Sequence, residues 1–251
     1  MRVGVIGAAG RMGREVAHAV VTEPDLELVA LVDPSHAGPQ IEGVGVAASL
    51  EALIDADTEV AVEFTRPKAA PANIAWCIEH GLHVVTGTTG FEPDPAWGAQ
   101  EAVGVLIVPN FAIGAVLMQR FAEQAVRYLP DAEIIELHHQ DKPDAPSGTA
   151  MATARRMAAS RGDVPSERRE ERVPGARGAD VDGIPVHSVR LPGLVAHQEV
   201  ILGTQGQTLR IRHDSTDWTS FMPGVLMGVK AVARRPGLTL GLDALLEREQ
   251  E

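Results

Sequence analysis

Residues 136–150 read E-L-H-H-Q-D-K-P-D-A-P-S-G-T-A, placing two imidazoles and an ammonium just ahead of a Ser-Gly-Thr turn that opens a helix. An ammonium and a helix N-terminus both favour anions, the helix through unpaired backbone N–H groups and the positive end of its dipole. Imidazoles near neutrality donate or accept protons. The combination suits a pocket that grips a small carboxylate and moves a proton on it, with His138, His139, Lys142, Ser147, Gly148 and Thr149 as candidates. Residues 132–137 (A-E-I-I-E-L) form a strand, preceded by a stop at Pro130 and Asp131. If the strand runs on through both histidines, His138 and His139 project from opposite faces. One then meets the pocket squarely and the other reaches it from the side. Two adjacent strand histidines chelate one ion poorly, and a closed zinc site needs four well-placed ligands. No metal is expected. A plainer reading has surface histidines on an edge strand and Ser147 as an ordinary N-cap, but it leaves Lys142 and both imidazoles without a task.

A second constellation lies at the other end of the chain. Residues 2–6 (R-V-G-V-I) are a short apolar run followed by Gly7-Ala8-Ala9-Gly10-Arg11-Met12-Gly13, then by a helical pattern through Val21. A glycine-rich turn between a first strand and a first helix lets backbone approach a pyrophosphate seated on the helix N-terminus. The spacing is G-x-x-G-x-x-G rather than G-x-G-x-x-G, and a tight strand-to-helix turn would also need glycine. The next apolar strand, residues 26–32, ends at Asp33, whose carboxylate can accept from adenosine ribose hydroxyls.

The elements that must position these groups alternate. Strands fit residues 60–64, 82–86 and 103–108, and helices fit 50–54, 68–79 and 97–102, the pattern of βαβ units in a parallel sheet. Ligands of such sheets bind beyond the carboxyl ends of the strands. Those ends carry Phe64-Thr65, Gly87-Thr88-Thr89 and Pro109-Asn110-Phe111, any of which can also be a simple turn or cap. After a helix over 113–128 the pattern changes. The strand over 132–139 and the helix from Ser147 lead into residues 162–183, an aperiodic exposed loop in which solvation accounts for the charges of Arg168 to Arg172. Strands over 184–191, 194–202 and 208–213 then follow without helices between them, favouring an antiparallel or mixed sheet. Gly203 and Gly206 bracket a turn around Thr204-Gln205. A helix over 221–234 and a closing segment over 238–246 return to the first domain. The expected fold is α/β: residues 1–108 and 214–251 form a Rossmann-like parallel-sheet dinucleotide-binding domain. Residues 109–213 form an inserted α+β substrate and oligomerisation domain on an open mixed sheet.

Composition narrows the function classes. With 251 residues the chain can bury one large core or two modest ones. Lys and Arg number 22 against 34 Asp and Glu, a formal charge of -12 that speaks against nucleic acid as a partner. The single Cys77 rules out an internal disulfide framework, suits a reducing cytoplasm and sits among apolar helical neighbours as a core residue. No apolar run approaches the roughly twenty residues of a membrane helix, so neither membrane nor export is expected.

Taken together, these motifs resemble one family. Glu136-Leu-His-His-x-x-Lys142-x-Asp144-x-Pro146-Ser-Gly-Thr-Ala150 is similar to the signature of the dihydrodipicolinate reductases, also called 4-hydroxy-tetrahydrodipicolinate reductases. The runs Gly7 to Gly13, Gly87-Thr-Thr-Gly90, Asn110-Phe-Ala-Ile-Gly114 and Arg190-Leu-Pro-Gly-Leu-Val-Ala-His-Gln-Glu199 match that family in order, so the resemblance spans nearly the whole chain. It implies an oxidoreductase of diaminopimelate and lysine biosynthesis that reduces a cyclic dicarboxylate with NADH or NADPH, on a Rossmann-like domain plus a substrate domain whose open sheet builds a homotetramer. In the implied reaction the ring loses its 4-hydroxyl as water, accepts hydride at C4, and has its developing charge quenched by a proton. His138 would supply that proton, with Lys142 also assigned a donor role. His139, Lys142 and the Ser147-Gly148-Thr149 turn would hold the substrate. The implied cofactor positions are Gly7, Ala8, Ala9, Gly10, Arg11, Met12, Asp33, Gly87, Thr88, Thr89, Val108, Pro109, Asn110 and Phe111. Pro34-Ser35-His36 supplies no arginine for a 2′-phosphate, although Arg11 can serve. An NAD(H)-binding redox sensor explains the N-terminal half equally well but leaves His138 and Lys142 idle. A nicotinamide dehydrogenase of another small amino acid is the other rival.

Overall fold

The strands of this protein come in two burial patterns, and they separate its two sheets. In the computed structural model, which describes residues 1–162 and 170–246, the strands Arg2–Ile6, Val60–Glu63, His83–Thr86 and Gly104–Ile107 are buried along nearly their whole length. Later ones alternate buried and part-exposed positions. Continuous burial belongs to parallel strands covered on both faces, and alternation to a sheet covered on one.

The chain opens with β1 (Arg2–Ile6), α1 (Arg11–Thr22), β2 (Glu27–Val32), β3 (Gln40–Ile41), β4 (Val44–Ala47) and α2 (Glu51–Asp55). It continues through β5 (Val60–Glu63), α3 (Ala70–Glu79), β6 (His83–Thr86), a 3-10 turn (Pro95–Ala99) and β7 (Gly104–Ile107). Next come α4 (Ile113–Ala125), β8 (Asp131–His138), α5 (Gly148–Arg161), β9 (Ala179–Val181), β10 (Ile184–Arg190), β11 (Ala196–Thr204) and β12 (Gln207–Ser215). A second 3-10 turn (Trp218–Phe221), α6 (Met222–Val232), β13 (Gly237–Leu240) and α7 (Asp243–Leu246) close it. Two compact units result, one from residues 1–113 and 221–251, the other from 114–220.

The first unit holds a sheet in the order β13-β7-β6-β5-β1-β2-β4-β3. Every pairing from β13 to β4 is parallel, and only the β3–β4 hairpin is antiparallel. Strand order reverses beside β1, the place where such sheets open a ligand crevice. One face packs Leu53 of α2, Ile74 and Cys77 of α3 and Trp97 of the 3-10 turn against Ile6, Val32, Ala61, Val84 and Val105. Burial pushes the Cys77 thiol up to about 12, with the nearby Glu63 adding to it.

The second unit is a five-stranded mixed sheet, β12-β11-β8-β10-β9. Here β8 runs parallel to β10 and antiparallel to β11. Met118 and Ala122 of α4 and Ala150, Ala154 and Met157 of α5 cover one face, meeting Ala132, Ile134, Ile184, Val186, Val200 and Leu202.

Several expectations need correction. The helix expected over 97–102 is the 3-10 turn Pro95–Ala99, started by Asp94, whose carboxylate accepts from Ala96 N at 2.8 Å. Strand β8 stops at His138, so His139 lies outside it. The hairpin turn after β11 is Gln205-Gly206, because Thr204 pairs with Gln207 and Gly203 with Thr208. Two hairpins were missed, β3–β4 and β9–β10, joined by Glu42-Gly43 and Asp182-Gly183 with both residues left-handed in each. That geometry twists with the strands it connects. Of the loop expected over 162–183, residues 163–169, including Arg168, lie outside the described residues. Residues 170–177 are exposed.

Candidate active site

Period two decides which side chains of β8 share a face. Glu136 and His138 are two apart, and the structure brings the His138 imidazole Nδ1 to 2.5 Å from Glu136 Oε2. Glu136 is fully buried and His138 part-buried. From β10, parallel and in register with β8, Arg190 lies opposite His138. Its guanidinium donates from Nη1 to Glu136 Oε2 at 2.9 Å and from Nη2 to Oε1 at 2.8 Å. Nη2 also reaches the carbonyl oxygen of Asp144 at 2.6 Å. Burial alone would push the Glu136 carboxyl up. Hydrogen bonds from His138, Arg190 and Ser188 outweigh it and hold the group down at about 2. Glu136 is therefore a carboxylate at any physiological pH, able only to accept.

The same carboxylate reaches the start of α5. Ser147 N donates to Glu136 Oε1 at 3.3 Å, and Ser147 Oγ, buried, accepts from Ala150 N at 3.2 Å as the helix N-cap. Gly148 is exposed, and a Cβ built on it would meet nothing within 4 Å, so a ligand has room above the first turn. Lys142, on the loop between β8 and α5, places Nζ 2.7 Å from Asp144 Oδ1. That hydrogen bond lowers the Asp144 carboxyl. His139 sits edge-on to the Trp218 ring, with centroids 6.4 Å apart, and not in the Glu136 cluster. The structure thus gathers His138 and Ser147 around Glu136 and Arg190, with Lys142 paired on the adjoining loop. Sequence reasoning missed Glu136 and Arg190 as site residues, although the alternation that separates His138 from His139 also pairs His138 with Glu136.

In the first unit the glycine turn joins β1 to α1. A Cβ at Gly13 would lie 2.2 Å from Gly7 O, and one at Gly7, where φ is +82°, 2.3 Å from Phe64 O. Both positions require glycine for close approach. Gly10, the N-cap of α1, offers no side chain to the first turn. Asp33 Oδ2 accepts from Ala9 N at 3.2 Å, and Oδ1 accepts from Ser35 N at 3.0 Å and lies 3.3 Å from His36 Nδ1. The His36 imidazole therefore also lies beside Asp33. An uncapped helix start, a backbone cradle and a carboxylate at the end of β2 are the features that a dinucleotide site needs.

At the carboxyl ends of β5 and β6 a buried carboxylate, Glu63, organises the loops. It accepts from Thr65 Oγ1, from Thr65 N at 3.1 Å and from Thr86 Oγ1 at 2.6 Å. Thr65 N also donates to Thr88 Oγ1 at 3.0 Å. Thr88, Thr89, Phe91, Ile107, Pro109 and Leu240 line a cleft of about 360 Å³ there. The rings of Phe64 and Phe111 lie 5.8 Å apart, and Asn110 Oδ1 accepts from Ala112 N at 2.9 Å. Val108 N donates to Thr86 O at 2.9 Å, tying the end of β7 to the same loops. Among the described residues no three His, Cys, Asp or Glu side chains group as metal ligands.

Comparison with known proteins adds an independent finding. Residues 1–111 match the family profile "Dihydrodipicolinate reductase, N-terminus" and residues 114–246 match "Dihydrodipicolinate reductase, C-terminus". The chain is 53% identical to 4-hydroxy-tetrahydrodipicolinate reductase of Nocardia farcinica, covering 98% of this chain and 99% of that one. It is 50% identical to the protein of the same name from Mycolicibacterium vanbaalenii, again covering 98% and 99%. A dipicolinate-bound dihydrodipicolinate reductase from Paenisporosarcina sp. TG-14 superposes with a TM-score of 0.87 at 39% identity, covering 97% of this chain and 98% of that one.

Proposed function

The chain belongs to the dihydrodipicolinate reductase family, and on that premise we propose that it reduces 4-hydroxy-tetrahydrodipicolinate to tetrahydrodipicolinate with NADH or NADPH. The observation that carries the reading is the cluster of His138, Glu136 and Ser147 at the start of α5, with Lys142 on the adjoining loop. The backbone of Gly148 and Thr149 and the Lys142 ammonium take a substrate carboxylate, and His139 flanks it. His138 supplies the proton that quenches charge on the reduced ring, a contribution of about 10²–10⁴-fold for a well-placed acid. Fixing the ring by two anion contacts before reaction adds several kcal/mol through orientation.

The pyridine nucleotide supplies the hydride when bound. Gly7, Ala8, Ala9, Gly10, Arg11 and Met12 would hold its pyrophosphate and Asp33 its adenosine ribose. Gly87, Thr88, Thr89 and Val108 to Phe111 would line the remainder. The deciding experiment supplies the unstable substrate from its synthase, using pyruvate and aspartate semialdehyde, and follows NADH oxidation. Oxidation on addition of this protein supports the reading. Absence of turnover with intact NADH binding would make it a redox sensor instead.

We further propose that NADH is used at least as well as NADPH. The Asp33 carboxylate can accept from both ribose hydroxyls but repels a 2′-phosphate unless Arg11 or His36 intervenes. In Asp33→Ser the kcat/KM ratio should move toward NADPH. A parent preference for NADPH of about tenfold, equivalent to roughly 1.4 kcal/mol, would overturn this.

A further inference from the structure

Among the described residues, the Glu136 side chain contacts the proton donor, the Arg190 guanidinium and the start of α5 at once. Its two oxygens divide the work. Oε1 receives Arg190 Nη2 and Ser147 N, while Oε2 receives Arg190 Nη1 and the His138 ring. The imidazole contact, at 2.5 Å, is shorter than either guanidinium contact. A carboxylate has no proton to give, so the hydrogen in that contact belongs to His138 Nδ1. We propose that Glu136 is a positioning residue that fixes the tautomer and ring angle of His138, leaving Nε2 as the nitrogen that exchanges a proton with substrate. The proposal rests on the reading of His138 as proton donor.

The geometry makes a cycle possible without ring rotation. With Nδ1–H held by Glu136, Nε2 takes a proton from solvent and the ring becomes a cation beside a fixed carboxylate. The N–H bond at Nε2 then breaks, its electron pair stays on nitrogen, and the proton passes to the reduced substrate ring. The imidazole returns to its neutral Nδ1–H form, still bonded to Glu136. Arg190 holds the plane of the carboxylate through its two-pronged contact, the geometry in which guanidinium matches carboxylate best. Through Asp144 O it also holds the loop that carries Lys142. A carboxylate serving only as Arg190's partner would not need the imidazole on the same oxygen.

The test combines nitrogen-15 NMR with the kinetics of three variants. Nitrogen-15 NMR of the parent protein, at a pH where His138 is neutral, should place the ring proton on Nδ1. Finding it on Nε2 overturns the proposal without any variant. Glu136→Gln should lower kcat about 10- to 100-fold, because the neutral amide no longer supports the imidazolium. The KM for substrate should move less than about threefold, NADH binding should not change, and an Nε2–H population should appear in the spectrum. Glu136→Asp keeps the charge on a shorter arm and should recover part of the loss, which also covers the case of a misfolded glutamine variant. Unchanged turnover in Glu136→Gln beside a crippled His138→Gln overturns Glu136's role while the donor assignment stands. Unchanged turnover in His138→Gln removes both.

Discussion

His138 and Lys142 sit four positions apart but answer to different partners, and their loss should read differently. His138 is paired with a buried carboxylate, whereas Lys142 is held by the exposed Asp144 and can trade it for a substrate carboxylate. His138→Gln should reduce kcat by two or more orders of magnitude with NADH affinity near normal, since an amide is no acid at neutral pH. Lys142→Ala should instead raise the substrate KM most, while calorimetry of NADH binding matches the parent. A large calorimetric loss would place Lys142 in the cofactor site. Glu136 also contributes to acid stability. Its carboxyl drops from 4.5 to about 2 on folding, so the unfolded chain binds the extra proton first as pH falls. The stabilisation is complete above pH 4.5, fades toward pH 2 and is absent below it, on the order of 3 kcal/mol in all. Urea midpoints at pH 3 and pH 6 should differ more in the parent than in Glu136→Gln.

At the scale of elements, α5 depends on its first residue. Ser147→Ala removes the hydroxyl that satisfies Ala150 N and should cost about 1 kcal/mol. A melting temperature lower by roughly 2–4 °C would match a chain of this size. An unchanged melting temperature would mean the N-cap bond contributes nothing measurable. The elements that position the site were legible where periodicity was strong. Apolar runs such as V-A-V-E and G-V-L-I become strands covered on both faces, and A-E-I-I-E-L becomes a half-covered one. Cys77 falls in the core because its helical neighbours bury it. Short pairings were not legible, because the two and three residues of β3 and β9 hold no period to read, although Asp182-Gly183 was a visible turn signal. Buried carboxylates were also hidden. Glu63 and Glu136 look like solvated charges in a sequence, and only the hydroxyls and guanidinium that fold onto them reveal otherwise.

For the whole molecule, the open question of assembly turns on the second sheet. The helices α4 and α5 cover one face, while the other carries Ile135, Leu137, Val189 and Ile201, all part-exposed. That face is mixed, because Glu199 pairs with Arg210 and Arg212 among those aliphatics, and Arg212 with Asp214. Aliphatics interleaved with paired charges suit a partner that is itself folded and symmetric. A homo-oligomer, with a tetramer as the family expectation, should appear by light scattering at micromolar concentration. A monomer there would contradict it.

The first unit is assembled from the two ends of the chain, and this sets a schedule for its birth. Strand β7 is made early, but its neighbour β13 and the helix α6 emerge only after residues 114–220 have been synthesised. Until then a nascent chain shows an unpaired β7 edge and lacks Val225, Val229 and Val232, all buried in the finished fold. Unpaired edges and bare apolar faces recruit other chains. The later unit, continuous in the sequence, can close its own sheet first. A messenger truncated after codon 220 would therefore yield one finished unit and one sticky remnant, and the product should meet chaperones or proteases before it meets substrate.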